Sequence, residues 1–521
     1  MDTDVLIVGA GPTGLMLANQ LARRSVRAEI IDRHPGPARE TRALGVQART
    51  LEIYAHLGIV DRALELGKDG SGANLWAQGR WMARVPLSEA GRELTPYPYI
   101  LVLGQDDNER IMGERLSELG MSVQWSTELV GLEQRLDRVE ATLKQPDGTM
   151  RTLAAAYVAG CDGAHSAVRE ACGITFPGAP YEHVFFVADT VAVGGMVPDQ
   201  VNVYLWRDGF HLFFPMRGED HWRVVGILPR ELRGRKDVGF EAVVPSLTRE
   251  AGEGLAFRDC MWFSTYRIHH RSAARFRDRR CFVLGDAAHI HSPVGAQGMN
   301  TGLQDAYNLG WKLALVLQGR ADAALLDSYE TERVPVARRL LETTDAAFRL
   351  VVSDNPLAGI LRTQVLARLV AFAMRQQWIQ RAAFRVVSQT GIRYPSSPLS
   401  LSLDALPSAA PHAGDRFPWL KLRLDGSGAA VDLYAALDDT RLHLLLVGQP
   451  APSLVALGLE DLLAVHTVAE DRGNDVELAR AHLPRPSFYL LRPDGHVGLC
   501  GARLDPTLLA RYVSERLRLL R

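Results

Sequence analysis

The chain has 521 residues, which is long for one ordinary core, so two or three domains are expected. Hydrophobic residues make up 47% and charged residues 23%, an ordinary soluble globular composition. The net charge of −1 leaves no electrostatic footprint for nucleic acid or an anionic membrane, so neither partner is expected. The opening MDTDVLIVGAG lacks the basic, apolar and cleavage regions of a leader, so it reads as structure from the start. No uninterrupted apolar stretch reaches about 18 residues, so no spanning helix is expected. Cys161, Cys172, Cys260, Cys281 and Cys500 are scattered and without a CxxC spacing. They read as reduced thiols in a cytoplasm, with no disulfide framework and no metal site.

Residues 4–8 form a short apolar run that fits a buried parallel strand. Gly9-Ala10-Gly11-Pro12-Thr13-Gly14 follows, then a helical pattern through Leu15, Ala18, Leu21 and Ala22. Residues 28–32, AEIID, predict a second strand ending in an acid, which completes a βαβ beginning. Gly9 permits the tight turn, Gly11 lets the backbone approach a pyrophosphate, and Gly14 lets the helix pack close to the strand. The helix N-terminus offers amide donors and positive potential to phosphates. Asp32 is spaced to accept from both hydroxyls of a ribose.

Helices are predicted over roughly 40–60 and after Asp106 or Asp107. A hairpin is predicted across 139–152 with Pro146-Asp147-Gly148 as its turn. A short buried strand over 157–160 then runs into CDGAHSAVR. Asp162-Gly163, followed by Ser166 and Arg169, suits a brace for a nucleotide site. It equally suits a turn with Ser166 as a helix N-cap and Arg169 paired with a carboxylate.

From about 181 to 268 the runs alternate and are aromatic, as in VNVYLWRDGFHLFFPM, and predict an antiparallel sheet. Its place between two cofactor-like segments suggests a substrate domain. Residues 280–284 return to a buried strand, followed by LGDAAHIHSPVGAQGMNTGLQDAYNLGWKLA. There Asp286, after Gly285, is placed to hold a ribityl chain or receive backbone amides. Pro293 fixes φ and removes a donor, while Gly295 and Gly298 permit close backbone approach. A helix is predicted to start near Asn300 or Thr301, with its N-terminus stabilising negative charge on a ring edge. Residues 314–387 read as mostly helical. Residues 394–418, with prolines at 395, 398, 407, 411 and 418, read as a linker. Strands at 442–447 and 463–468, a hairpin turning at Pro493-Asp494-Gly495 and a helix over 506–520 suit a small α/β domain.

GAGPTG, CDGAHSAVR and the 284–314 segment, in that order and spacing, resemble the FAD-dependent aromatic hydroxylases, the class A flavoprotein monooxygenases. The resemblance covers roughly residues 1–390. The tail, with LLLVG and LLRPDGHVG, is similar to the thioredoxin-like C-terminal domain of the phenol and polyketide hydroxylase branch; with Cys500 alone it offers no dithiol. The implied α/β fold is a Rossmann-like FAD-binding domain (1–180 and 270–395) with an inserted antiparallel-sheet substrate domain (181–269 and part of 75–100). The thioredoxin-like domain would span 396–521.

Carried over residue by residue, Gly9, Gly11, Pro12, Thr13, Gly14, Asp32 and Arg33 match the ADP-binding positions. Arg42 matches an arginine near the diphosphate, and Gln105 a glutamine beside the ribityl chain. Asp162 and Gly163 match a motif serving FAD and NAD(P)H together. Gly285 and Asp286 match the ribityl-binding pair, and Pro293, Gly295, Gly298, Met299 and Asn300 the loop that cups the isoalloxazine. Ala296 stands where most relatives have a second glycine, and Asp32 replaces a commoner glutamate.

The implied reaction consumes NADPH or NADH and dioxygen, and hydroxylates a phenolic or polycyclic aromatic substrate through a C4a-hydroperoxyflavin. Baeyer–Villiger chemistry or another oxidative tailoring or drug-inactivating step shares the scaffold, and a non-catalytic FAD or aromatic-ligand binder is a further alternative. No second GxGxxG marks a separate nicotinamide domain. Candidate wall residues are Trp206, His211, Phe213, Phe214, Trp222 and Tyr266. Pro293 at the flavin loop, with His211 and Tyr266 as bases, are the catalytic candidates. His289 and His291 read as structural. A cytoplasmic monomer or homodimer is expected.

Overall fold

The computed structural model describes residues 1–38, 43–206, 209–235, 237–251, 254–291, 297–352, 367–403, 406–424, 428–453 and 458–520. Its first sheet is built on the strand Thr3–Val8, which pairs in parallel with Ala28–Ile31 on one side and Met150–Gly160 on the other. The sheet extends through Cys281–Val283 at one end and Val123–Gln124 at the other. Val5, Leu6 and Ile7 are completely buried, which is why this strand is apolar throughout and does not alternate. The helices Pro12–Ala22 and Gly298–Leu317 pack against each other.

Met150–Gly160 is one strand where the sequence suggested a hairpin arm and a separate short strand. Its first half pairs antiparallel with Val139–Lys144, and its second half runs parallel to Thr3–Val8 and Cys281–Val283. The strand changes neighbours midway, so its pattern changes from alternating to uniformly apolar.

The second sheet has eight strands, from His289–Ile290 through Ala256–Ser272, Gly178–Val193, His221–Ile227, Gly209–Pro215 and Val201–Trp206 to Ala73–Ala77 and Arg80–Val85. It is mixed, because Val201–Trp206 runs parallel to Ala73–Ala77. The helix Phe240–Ala251, which contains Pro245, covers one of its faces and lies within the stretch 181–268 that reads in the sequence as sheet.

In the tail a five-stranded sheet runs Leu401–Ser402, Val497–Gly501, Ser487–Leu491, Leu442–Val447, Leu463–Val468. The final helix is Pro506–Arg511, shorter than predicted, and continues as a wider turn through Arg516. The linker reading of 394–418 is overturned. Tyr394, Leu399, Ala413 and Phe417 are buried, and Tyr394 packs on His496 with ring centroids 4.4 Å apart. Proline suits this extended, packed path as well as it suits a tether.

A buried ionic cluster joins the tail to the helices Gly298–Leu317 and Asp327–Val352. Arg492 donates to both oxygens of Glu332, at 2.5 and 3.0 Å, and also pairs with Asp494. Lys312 donates to Glu332 at 2.7 Å, and Ser397 donates to its other oxygen at 2.6 Å. Trp311 and Tyr307 donate to Asp494 and to the Pro493 carbonyl at 3.3 and 3.1 Å. No helix among the described residues is long and apolar enough to cross a membrane.

Candidate functional site

Three segments converge at the carboxyl ends of neighbouring parallel strands. The first is the glycine turn. Gly9 has φ +100°, and a Cβ there would lie 2.4 Å from the Cys161 carbonyl oxygen. A Cβ on Gly14 would lie 1.9 Å from the Gly9 carbonyl, so this position is set by helix–strand packing. A Cβ on Gly11 would meet nothing within 4 Å. Gly11 is therefore small without any packing demand, as expected where a ligand approaches the backbone. Pro12 opens the helix, where its missing N–H costs nothing. Thr13 faces the protein: its Oγ1 would lie 2.6 Å from a Cβ on Gly285 and 2.4 Å from one on Gly302. The two glycine-rich segments, almost three hundred residues apart in sequence, thus meet across Thr13.

Asp32 directly follows the strand Ala28–Ile31, its side chain 13% exposed. One carboxylate oxygen accepts from the Ala10 amide at 2.8 Å, and the other accepts from the His34 amide at 2.8 Å. It therefore also fixes the glycine turn, a duty the spacing argument did not include. Arg33 is exposed beside it. Gln105 opens the helix Gln105–Glu118, accepts from the Ala43 amide at 3.4 Å and donates to Glu109 at 2.8 Å. Glu109 accepts from the Ala38 amide at 3.0 Å, and burial pushes its carboxyl up. Arg42, Pro293 and Gly295 lie outside the described residues.

The second segment follows Met150–Gly160. Asp162 accepts from the Val168 amide at 3.3 Å, while its Oδ1 is buried with no protein partner. Burial pushes this carboxyl up. Gly163 follows with φ +76°. Both readings of the next residues hold in part. Ser166 is the N-cap, accepting from the Arg169 amide at 3.0 Å. Among the described residues Arg169 forms no ion pair; it donates to the carbonyls of Ala287 and Ala164 at 3.1 and 2.9 Å. It ties the Asp162 turn to the Gly285–Ala287 turn.

In that third segment Asp286 is exposed between buried Gly285 and Ala287. The following helix starts at Gly298, two residues earlier than predicted, and has no side-chain cap. A Cβ on Gly298 would lie 3.2 Å from the His291 ring, and Met299 accepts from Asn108 at 3.2 Å. The Asn300 side chain turns into the protein. Its side chain is fully buried and committed to protein, accepting from the Gln47 amide at 2.9 Å and the Thr50 hydroxyl at 2.7 Å. It also donates to the Gly45 carbonyl at 2.7 Å. What the helix start presents outward is backbone.

Beneath this segment lies a buried charge network that the sequence reading missed. Asp305 accepts from Arg333 Nε at 2.6 Å and from the Gly285 amide at 3.1 Å, and it lies 2.7 Å from His289 Nε2. Burial alone would raise Asp305, but Arg333 and His289 overrule it and hold the carboxyl low. Arg333 also donates to the Tyr394 hydroxyl at 2.9 Å. The available signal was an aspartate on the apolar stripe between Leu303, Ala306 and Leu309, which demands a buried counter-ion.

The second sheet separates the two candidate bases. Phe185 and Phe186 are consecutive on one strand and so point to opposite faces. Tyr266 packs on Phe185, with ring centroids 6.0 Å apart. His211 packs on Phe186 at 5.9 Å and stacks on Trp206 at 5.3 Å. Phe213 and Trp222 lie in the same cluster as Phe186, under the helix Phe240–Ala251. His211 is 1% exposed, and burial, then Arg249, push its protonation down to about 3. It belongs to the core of the sheet, which takes it out of reach of a ligand on the opposite face. Tyr266 and, by alternation, Phe214 are on that opposite face.

A family model described as an FAD binding domain matches residues 2–344. The chain is 34% identical over 522 residues to 6-methylpretetramide 4-monooxygenase of Streptomyces rimosus, covering 97% of this chain and 92% of that one. It is 33% identical to pentachlorophenol 4-monooxygenase of Sphingobium chlorophenolicum, covering 95% and 86%. Among solved structures, the anhydrotetracycline hydroxylase OxyS of Streptomyces rimosus superposes with a TM-score of 0.78 at 29% identity, covering 98% of both chains. Aklavinone-11 hydroxylase, solved with FAD and aklavinone, superposes at 0.80 with 26% identity, covering 99% of both. Family model, full-length relatives and the three converging segments agree, and the chain belongs to the FAD-dependent aromatic monooxygenases.

Proposed function

We propose that this chain transfers one oxygen atom from dioxygen to a phenolic or polycyclic aromatic ring, consuming NAD(P)H. The observation that carries the reading is the convergence of the Gly9–Gly14 turn, the Asp162-Gly163 turn and the Gly285–Ala287 turn at the carboxyl ends of neighbouring parallel strands. The residues fit FAD: Gly11 leaves space beside its backbone, and Asp162 has a buried oxygen that no protein donor reaches. FAD, when bound, supplies the electron transfer and the activated oxygen.

The chain's own residues do the rest. The first helix N-terminus receives the phosphates, Asp32 a ribose, and Asp286 the ribityl chain. The uncapped start of Gly298–Leu317 sets positive potential against the ring system. Asp305 and Arg333 hold that helix and the Gly285 turn in register from below. The substrate lies against the sheet face that carries Phe185, Phe210, Phe214 and Tyr266, because the helix Phe240–Ala251 occupies the other. Tyr266 is then the one candidate base on the substrate side. The domain limits follow the same reading: 1–180 with 270–395 for FAD, 181–269 with part of 75–100 for substrate, and 396–521 for a thioredoxin-like unit. A cytoplasmic enzyme acting as a monomer or homodimer completes it.

The test is purification, a flavin absorbance spectrum, and NADPH oxidation with a panel of phenols and aromatic polyketides. A yellow protein that yields a product heavier by one oxygen supports the reading. A protein that takes up no FAD, or oxidises NADPH while every substrate stays unchanged, overturns it.

A further inference from the structure

The helices Ala367–Ala373 and Gln377–Val387 present a face that no described residue covers. The second helix is fixed on its inner side by Phe384, buried in a cluster with Leu87 and Ala90. Its outer side carries Trp378, Arg381, Ala382, Arg385 and Val386, the positions of one helical face, and all five are exposed. The first helix repeats the arrangement, with exposed Leu369 and Phe372 set between exposed Arg368 and Arg375. Phe372 is 65% exposed and Trp378 71%, which no packing within a fold explains. The first helix lies against the edge strand Arg80–Val85, whose Trp81 is also exposed. Among the described residues, Trp81, Phe372 and Trp378 are the only exposed tryptophan and phenylalanine side chains, so all of them gather at one corner.

The charge of this corner is one-sided. The net charge of −1 belongs to the whole chain, whereas residues 355–403 contain six arginines and no lysine, aspartate or glutamate. The carboxylates that approach from the neighbouring segment are already engaged, Glu89 with Arg84 at 3.5 Å and Glu93 with Arg381 at 2.6 Å. Arg368 and Arg375 form no ion pair among the described residues. A second copy of this chain is a poor occupant, because a two-fold contact sets the patch against itself and arginine against arginine. Tryptophan, phenylalanine and leucine interleaved with arginine suit the boundary of an anionic bilayer, where rings enter the headgroup layer and guanidinium groups meet lipid phosphates.

We propose that this face docks on an anionic lipid surface, with Leu369, Phe372 and Trp378 entering the headgroup layer and Arg368 and Arg375 pairing with lipid phosphates. The contact is peripheral, since no helix among the described residues is long and apolar enough to cross a bilayer. It is independent of the oxygen chemistry proposed above, and it is measured without turnover. The test is co-sedimentation of the full-length, FAD-loaded protein with vesicles of phosphatidylcholine alone and of an equal mixture of phosphatidylcholine and phosphatidylglycerol. Binding to the mixed vesicles should exceed binding to phosphatidylcholine by about tenfold or more, and should weaken as salt rises. Arg368→Gln and Arg375→Gln should each lower it about fivefold. Phe372→Ala/Trp378→Ala should lower it about tenfold or more with the melting temperature unchanged, because neither ring is packed in the fold. Arg511→Gln, at an exposed arginine of the final helix, should change nothing.

Equal binding to both kinds of vesicle, or binding to neither, overturns the proposal. So does mixed-vesicle binding that Phe372→Ala/Trp378→Ala leaves at the wild-type level, since charge alone would serve an acidic protein equally well. A dimer in analytical ultracentrifugation that the same double variant dissociates, without vesicle binding, makes the face a contact between copies and overturns the proposal too. A protein that binds the mixed vesicles through these residues yet oxygenates nothing keeps this assignment and loses the oxygenase reading.

Discussion

At the scale of single residues, Gly11 and Gly14 are three positions apart and held by opposite constraints. Gly11 borders open space, so Gly11→Ala should fold normally, with a melting temperature near wild type, yet retain less FAD through gel filtration. Gly14→Ala puts a methyl group 1.9 Å from a carbonyl oxygen and should cost at least the 1–3 kcal/mol typical of overpacking, roughly, seen as a lowered melting temperature. The pair separates ligand contact from packing within one motif. His211 offers a second residue-level test. A general base contributes about 10²–10⁴-fold, whereas a core histidine contributes packing alone. His211→Leu should therefore leave the pH–rate profile in place, and a loss of that size would return His211 to the chemistry. The strand–turn–helix of residues 3–22 was legible because its apolar run and its glycines are adjacent in sequence. The fates of His211 and Asn300 were not, because each depends on partners that folding brings in from elsewhere.

At the scale of elements, what decides the site is how the Gly298–Leu317 helix is braced. Asn300 connects its start to residues 45–50 by three hydrogen bonds. Asn300→Ala should cost about 1–3 kcal/mol, since the Gln47 amide loses its acceptor, and should lower flavin retention with it. Denaturant midpoints and flavin absorbance on the same sample check this. The tail strands Leu442–Val447 and Leu463–Val468 were readable to the residue, and both Asp-Gly hairpins by their turns, because apolar runs and turn residues are written side by side. The helix Phe240–Ala251 was not, and neither was the covered face of the sheet. A period of two says that a strand has two faces, but it does not say which one a distant helix will cover.

At the scale of the whole molecule, the tail is tied down by charge. Burial would raise Glu332, yet Arg492 and then Lys312 overrule it and hold its carboxyl at about 2. A carboxyl held below its ordinary value near 4.5 contributes stability that is fully present above that value. The contribution is lost as the pH falls from about 4.5 toward 2, because the unfolded chain takes up the proton first. Urea midpoints should therefore fall in that window in the native protein and fall less in Glu332→Gln. At neutral pH Glu332→Gln should itself cost about 3–5 kcal/mol, since Lys312 remains buried without its carboxylate partner and Arg492 keeps Asp494 alone. The proline-rich stretch that reads as a tether is part of this arrangement, through Ser397 and Tyr394.

The same cluster bears on how such chains can be recombined. Glu332 and Lys312 belong to the first part of the chain, Arg492 and Asp494 to the last, and each is intelligible only as the complement of the others. A tail exchanged for that of a relative with different residues at these positions would leave a bare charge in the seam. The tail is not a portable module: these halves can be inherited or engineered together, or else only with the four residues moved as a set.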